Sequence, residues 1–322
     1  MTSKERINQR FAKDFNLPIN IFNDQVFEYY HRLYRDSIWP EEEWVSLNKE
    51  INERFHGNMD LWLEHYATVR DTIIRDIEAS EAYQHFNNKD MSEYQIKGES
   101  IRNLPDRTIY NNELNGGTFV SLDLRKANFQ ALKYAGVIND ESYDAFIEKY
   151  DESFYFKKSK YTRQVIFGKL NPKRTITVEH YMMSQIFGLP LKELEGVQAK
   201  IIAFKSDEIV WQVYGKVSTA KLNKIIKDVK EKLGFDITAE YFTIEKLPIE
   251  NVNGNSITAY VKQNLNTGEE KLKMVSTTYF PQVYKLYKGM PIEKEDMAFY
   301  HEDQCAHFDY PLKLVYDGSN GA

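Results

Sequence analysis

Apolar positions recur along this chain with two different periods, and the change falls near residue 96. Before it the spacing is helical. NDQVFEYYHRLYRD predicts a helix opened by Asn23 or Asp24. PEEEWVSLNKEINERF puts Pro40 in a first turn with three acids behind it, which suits the positive end of a helix. MDLWLEHYATVRDTIIRDIEAS repeats apolar residues at Leu61, Leu63, Tyr66, Val69, Ile73 and Ile77, as one stripe of an amphipathic helix would.

After residue 96 strands enter. KGESIRNLPDRTIYNNELNGG is polar and turn-rich, and TFVSLDL then reads as a buried strand. RKANFQALKYAG predicts a helix stopped at Gly136, DESYDAFIEKY a second, and TITVEHYMMSQIFG a third closed by Gly188. AKIIAFKSDEIVWQV reads as strand, tight turn, strand, with Asp207 and Glu208 at the tip. STAKLNKIIKDVKEKLG is amphipathic: Ser218 or Thr219 caps it, Leu222, Ile225, Ile226, Val229 and Leu233 form its stripe, and Gly234 ends it. FDITAEYFTIEKL predicts another strand, and SITAYVKQNLNTGEEKLKMVSTTYF a hairpin across Asn266-Thr267-Gly268. The order implies an α+β fold: a helical N-terminal region over 1–95, an antiparallel sheet with helices on one face over 96–250, and a β-rich C-terminal region over 251–322.

Composition narrows the classes. At 42% hydrophobic and 28% charged the chain is an ordinary globular one. No run approaches the roughly 18 apolar residues of a membrane span. The first residues lack the apolar core of a secretory signal, and one cysteine excludes an internal disulfide. These features lead us to expect a cytoplasmic protein, in the host cytoplasm if the source is a phage or virus. A net charge of −6 argues against indiscriminate coating of nucleic acid. Yet 157–174 carries Lys157, Lys158, Lys160, Arg163, Lys169, Lys173 and Arg174 and no acid. That is either a solvated helix face or an anion-binding one.

Single acids carry little information. Asp123, where TFVSLDL leaves its strand for a helix, has a plain reading as a helix cap, and Asp207 and Glu208 as turn residues. Their order in the chain says more. If the Asp123 strand lies beside the hairpin in one sheet, three carboxylates converge. Two Mg²⁺ (or Mn²⁺) ions, about 3.5–4 Å apart in two-metal sites, need such a cluster.

In that order the segments resemble the palm of a template-dependent nucleic-acid polymerase, closest to reverse transcriptases and viral RNA-directed RNA polymerases. FVSLDLRKANFQAL is similar to motif A, which would make Asp123 a metal ligand and put Asn128 where the sugar is inspected. FGKLNPKRTITVEHYM is similar to motif B, with Gly168 in a loop leading to a helix. AFKSDEIVWQV resembles motif C, with Asp207 as the metal ligand and Glu208 as the second acid. KLNKIIKDVKEKLGFDITAEYFTIEKL resembles motif D, with Lys246 as the proton donor to pyrophosphate, and the following hairpin resembles the primer-gripping motif E. The resemblance implies that Lys169 and Arg174, with Arg163, contact triphosphate or template, and that Arg102 and Arg107 serve as basic finger residues. It further implies nucleic-acid and nucleoside triphosphate substrates, RNA synthesis if Asn128 is the gate, and partner subunits of a replication or transcription complex.

The chain departs from the family pattern in three places. Asp-Glu stands where reverse transcriptases usually carry a pair of Asp, and is more like the family A DNA polymerases. Phe167-Gly168 replaces the Gln-Gly or Ser-Gly of motif B. Phe129 adjoins Asn128, so a slip of one residue would reverse the sugar preference. The alternatives are a palm-like nucleic-acid-binding subunit without catalysis and an interaction protein with no nucleic-acid role. Tyr155, Phe156 and Tyr161 beside the lysines are candidates to stack on bases, against a default place in the core. His301, Asp303, Cys305 and His307 match no common zinc spacing and read as a surface turn.

Overall fold

The computed structural model describes residues 3–14, 27–28, 41–96, 104–187, 189, 197–301 and 304–315. Asn23, Asp24, Arg102, Gly188 and Asp303, each singled out above, lie outside the described residues.

The N-terminal region contains helices α1 (Ser3–Asp14), α2 (Glu41–Phe55), α3 (Met59–Ala79) and α4 (Glu81–Asn88). Left-handed backbone at His56 and Gly57, φ 52° and 75°, turns α2 back into α3. The Asn58 side chain then caps α3, accepting hydrogen bonds from the backbone N–H groups of Asp60 and Leu61. The buried stripe of α3 is Met59, Trp62, Tyr66, Val69, Ile73 and Ile77. It matches the expected one from Tyr66 onward but runs through Met59 and Trp62 before it, leaving Leu61 48% exposed. A step of one residue is about 100° around a helix, and the larger indole takes the core position.

The middle region forms one sheet from β1 (Thr118–Leu124), β2 (Gln198–Phe204), β3 (Glu208–Tyr214) and β4 (Ile237–Lys246). After the two-residue β5 (Ile249–Glu250), β6 (Tyr260–Asn264) and β7 (Glu270–Lys273) extend it. The strand order is β2-β3-β1-β4-β6-β7, and every neighbouring pair is antiparallel. Between β1 and β2 run α5 (Ala127–Tyr134), α6 (Tyr143–Glu148), α7 (Phe154–Lys158), α8 (Lys160–Lys169) and α9 (Pro172–Phe187), and α10 (Thr219–Leu233) joins β3 to β4. β1 through β4 with these helices therefore make a β-α-β-β-α-β unit. Ser218, not Thr219, caps α10, and Gly234 ends it at φ 76°.

Alternation assigns the two faces of the sheet. Val120, Leu122 and Leu124 of β1, with Ile209, Trp211 and Val213 of β3, join the large core shared with the helices. Phe119, Val210, Phe242 and Ile244 point the other way and pack under Ile109 and Leu114 of the turn-rich segment. That segment covers only part of its face.

The C-terminal region, read as β from its sequence, also holds a helix, α11 (Phe280–Tyr287), started by a proline. Its Val283 packs with Leu247, Ile249 and Leu312. β8 (Ala298–His301) pairs with β9 (Gln304–His307), and β10 (Lys313–Leu314) pairs with β5.

Candidate active site

The side chains that must face the helices leave their neighbours on the opposite face. In β1 those are Phe119, Ser121 and Asp123; in β3, Glu208, Val210 and Gln212. The register of the two strands places Asp123 directly opposite Glu208. Backbone bonds fix the corner: Leu124 N–H donates to the Asp207 carbonyl at 2.8 Å, and Lys205 N–H to the Glu208 carbonyl at 2.8 Å. Asp207 thus occupies the tight turn beside the end of β1. Glu240 of β4 is opposite Ser121, on the same face as Asp123. Buried Glu179 of α9 also lies near Asp207.

Carboxylates directly opposed across strands repel one another. Burial, then Asp207, Glu208 and Glu240, push Asp123 up to about 7, with Lys160 opposing. Burial, then Asp207, push Glu179 up to about 7. Glu208 is also raised, chiefly by burial, although Lys262 and Lys205 pull it down. Burial raises the Tyr110 phenol further still, helped by Glu208 and Glu240. Glu240 is well compensated. Burial opposes its charge, but a hydrogen bond from Lys262 and the charges of Lys271 and Lys273 bring it below the usual range. The Lys262 ammonium also lies 4.0 Å above the Phe242 ring. Lys273 is itself lowered, by burial and by Lys262 and Lys271.

Such a cluster, with Asp123 and Glu208 directly opposed and Asp207 beside them, suits hard divalent ions with oxygen ligands. Asp123, Asp207 and Glu208 would be the protein donors. Their three donor atoms do not all lie within 4.8 Å of one another; among the described residues that closeness is found at Glu50, His65 and Asp151.

The remaining residues named from sequence fall in several places. Phe129 is buried against Tyr143, Phe146 and Phe167, so of the two candidate gate residues Asn128 is the more accessible. Just before it, Lys126 holds the left-handed conformation at φ 53°, a strained turn for a residue with a side chain. Gly168 is not in a loop: it lies within α8, and Leu170-Asn171 separates α8 from α9. The Arg163 guanidinium lies 5.6 Å from the Tyr143 ring centre. Arg174 donates to the Lys89 carbonyl and lies over the Phe86 ring. Lys169 helps lower Asp71 of α3, secondarily to an Arg70 hydrogen bond. Lys169 and Arg174 therefore face the N-terminal helices, away from the carboxylates. Arg107 runs along the outer strand, donating to the Ile202 carbonyl at 3.4 Å.

Lys246 requires a correction. Asp123 pairs with Thr238, and Lys246 stands at the far end of β4. Eight residues (246 − 238) at about 3.3 Å each put it on the order of 26 Å along the strand, so it takes no part at this cluster. Tyr155 and Phe156 are fully buried against Trp62 and Tyr66 and are core, not base platforms.

Sequence reasoning passed over Glu179, Glu240, Lys262 and Lys273, and had Lys160 only as one of a basic stretch. Glu179 left a signal. It falls inside the buried stripe of α9, with Thr175, Val178, Met182, Met183 and Ile186, where a carboxylate is out of place. Glu240 and Lys262 belong to the site only through strand register.

Comparison of the chain with protein-family models, with curated proteins and with solved structures finds no match.

Proposed function

We propose that this protein is a template-dependent nucleotidyltransferase, a nucleic-acid polymerase with a palm-like catalytic sheet. The observation that carries the reading is the direct opposition of Asp123 and Glu208, beside Asp207, on the face of the β-α-β-β-α-β sheet opposite its large helix-packed core. Residues 84 positions apart (207 − 123) meet there, and Asp123 is pushed up by burial and by the acids around it. Divalent ions, Mg²⁺ or Mn²⁺, would supply Lewis acidity towards an attacking 3′-hydroxyl and the triphosphate.

The chain's own groups have these roles. Asp123, Asp207 and Glu208 hold the cations. Lys160, Lys205 and Lys262, the basic groups that moderate the acids, offset phosphate charge. Asn128, small and polar, tolerates a ribose hydroxyl and favours RNA synthesis. The 3′-hydroxyl loses its proton to solvent as its oxygen bonds to the α-phosphorus, the bond to pyrophosphate breaks, and pyrophosphate leaves. The test is extension of labelled RNA and DNA primers, with and without template, in Mg²⁺ or Mn²⁺. Extension by the wild type and its loss in Asp207→Ala support the reading; no extension by folded wild type in any combination rejects it.

A second reading is a palm-like nucleic-acid-binding subunit without catalysis. It draws on Lys169 and Arg174 facing the helices and on the spread of the carboxylate donor atoms. It is favoured if oligonucleotide binding persists, equal in wild type and Asp207→Ala, with no extension.

A further inference from the structure

A second polar cluster lies among the helices. Glu50 of α2, His65 of α3 and Asp151, ahead of α7, offer three ligand atoms all within 4.8 Å of one another. Asp151 is satisfied on both oxygens. Its Oδ1 accepts from Ser153 N–H at 2.7 Å and from Arg54 at 3.1 Å; its Oδ2 accepts from Arg54 at 3.1 Å and meets His65 Nε2 at 2.6 Å. Glu50 is not satisfied. Its Oε1 takes two long bonds of 3.3 Å, from Arg54 and from Trp62 Nε1, and the Ser153 side chain lies close enough to pull the carboxyl down against the larger raising effect of burial. Its Oε2 is buried with no hydrogen-bond partner, and the Glu50 side chain as a whole is only 4% exposed.

An orphaned carboxylate oxygen in such surroundings costs free energy unless something positive meets it. Arg54 touches both acids and lies over the Phe55 ring, and it is 45% exposed, so water reaches part of its guanidinium. One imidazole and two carboxylates form a donor set suited to a borderline transition ion such as zinc, and less suited to magnesium. The outer contacts that orient metal ligands are also present, since Trp62 and the Ser153 N–H hold the two carboxylates.

We propose that Glu50, His65 and Asp151 form a zinc-class metal site, in which the ion displaces the Arg54 guanidinium and the proton between His65 Nε2 and Asp151. The ion bonds to Nε2, to Asp151 Oδ2 and to the orphaned Glu50 Oε2. The imidazole keeps one proton on Nδ1, Arg54 swings to solvent, and water completes the coordination. Such a site ties α2 and α3 to the segment that leads into α7 and the basic α8.

The test is zinc titration of the full chain, by calorimetry and by competition with a chromogenic chelator, with Cys305→Ser and Asp207→Asn as background controls. One zinc per chain, retained in both controls and weakened at least about tenfold by His65→Gln and by Glu50→Gln, is expected. Arg54→Gln, at a part-exposed position, should tighten zinc binding while lowering the melting temperature without zinc. An ion-pair network alone predicts the opposite for the first readout. Absence of zinc binding, indifference to His65→Gln in folded protein, or unchanged or weaker binding in Arg54→Gln overturns the proposal.

Discussion

Asp151 and Asp123 are both acids withdrawn from water, and their surroundings treat them in opposite ways. Asp151 is the more buried, with its side chain 2% exposed. Burial opposes its charge, yet hydrogen bonds from Arg54, the Ser153 N–H and His65 hold it below the ordinary carboxylate range. Asp123 faces Glu208 across the strand pair, with Asp207 and Glu240 nearby and Lys160 opposing them, and burial with these acids pushes it up to about 7. Where a fold buries an acid for architecture, it supplies cations and donors with it. Acids set directly against one another, where nearby lysines leave Asp123 raised, mark a place suited to a ligand of opposite charge. The Glu50 oxygen, unpaired beside well-paired Asp151, shows both conditions within one cluster.

The sharpest way to break this contrast is to remove one acid from each place. Asp207→Ala should reduce nucleotide addition by about 10³-fold or more while leaving the melting temperature unchanged or higher, since it relieves repulsion. Primer extension and thermal melting on the same preparation check both halves. Asp151→Asn should do the reverse, costing about 1–3 kcal/mol of stability because a buried acceptor of bonds from Arg54, His65 and the Ser153 N–H is weakened. Denaturant unfolding measures it, and a cost below 1 kcal/mol would show that the network is not structural.

The pH dependence has opposite signs in the two places. Asp123 and Glu179 are raised to about 7 in the folded chain, against about 4 when unfolded. The folded state thus binds these protons more tightly. The stability they contribute is full below about pH 4 and is lost as pH rises through 7. Without divalent ions, wild type minus the Asp123→Asn, Glu179→Gln double variant should therefore lose stability between pH 5.5 and 8, by an amount of order 1–2 kcal/mol after screening. Mg²⁺ should raise the melting temperature more at pH 8 than at pH 5.5. Asp151, being lowered, works the other way, and its contribution is lost as pH falls.

Smaller effects follow at the edges of the site. Asn128→Tyr should shift selection towards deoxynucleotides by about 1–3 kcal/mol in the ratio of kcat/KM values, measured by paired single-nucleotide incorporation. Lys246→Ala should change extension by less than about threefold, because the residue stands at the far end of its strand. A loss of a hundredfold there would mean that the working conformation differs from this one.

Local pattern alone determined much of this molecule. The strand of Asp123, the hairpin at Asp207, the capped helix after Ser218 and the turn at Gly268 are each written in a few neighbouring residues, because periodicity, capping and positive φ are local effects. The neighbourhood of Asp123 was legible as far as order in the chain can show it. Which carboxylate opposes which, and which lysines answer them, was not. Glu240 and Lys262 join the site only because β4 lies beside β1 and β6 beside β4, and Lys246 leaves it for the same reason. Arg174 and Lys169 read as one basic stretch with Lys160, yet their helices turn them to another face. The orphaned oxygen of Glu50 depends on residues about a hundred positions apart. Charge compensation is a property of three-dimensional proximity and solvent exclusion, and only the tertiary structure decides those.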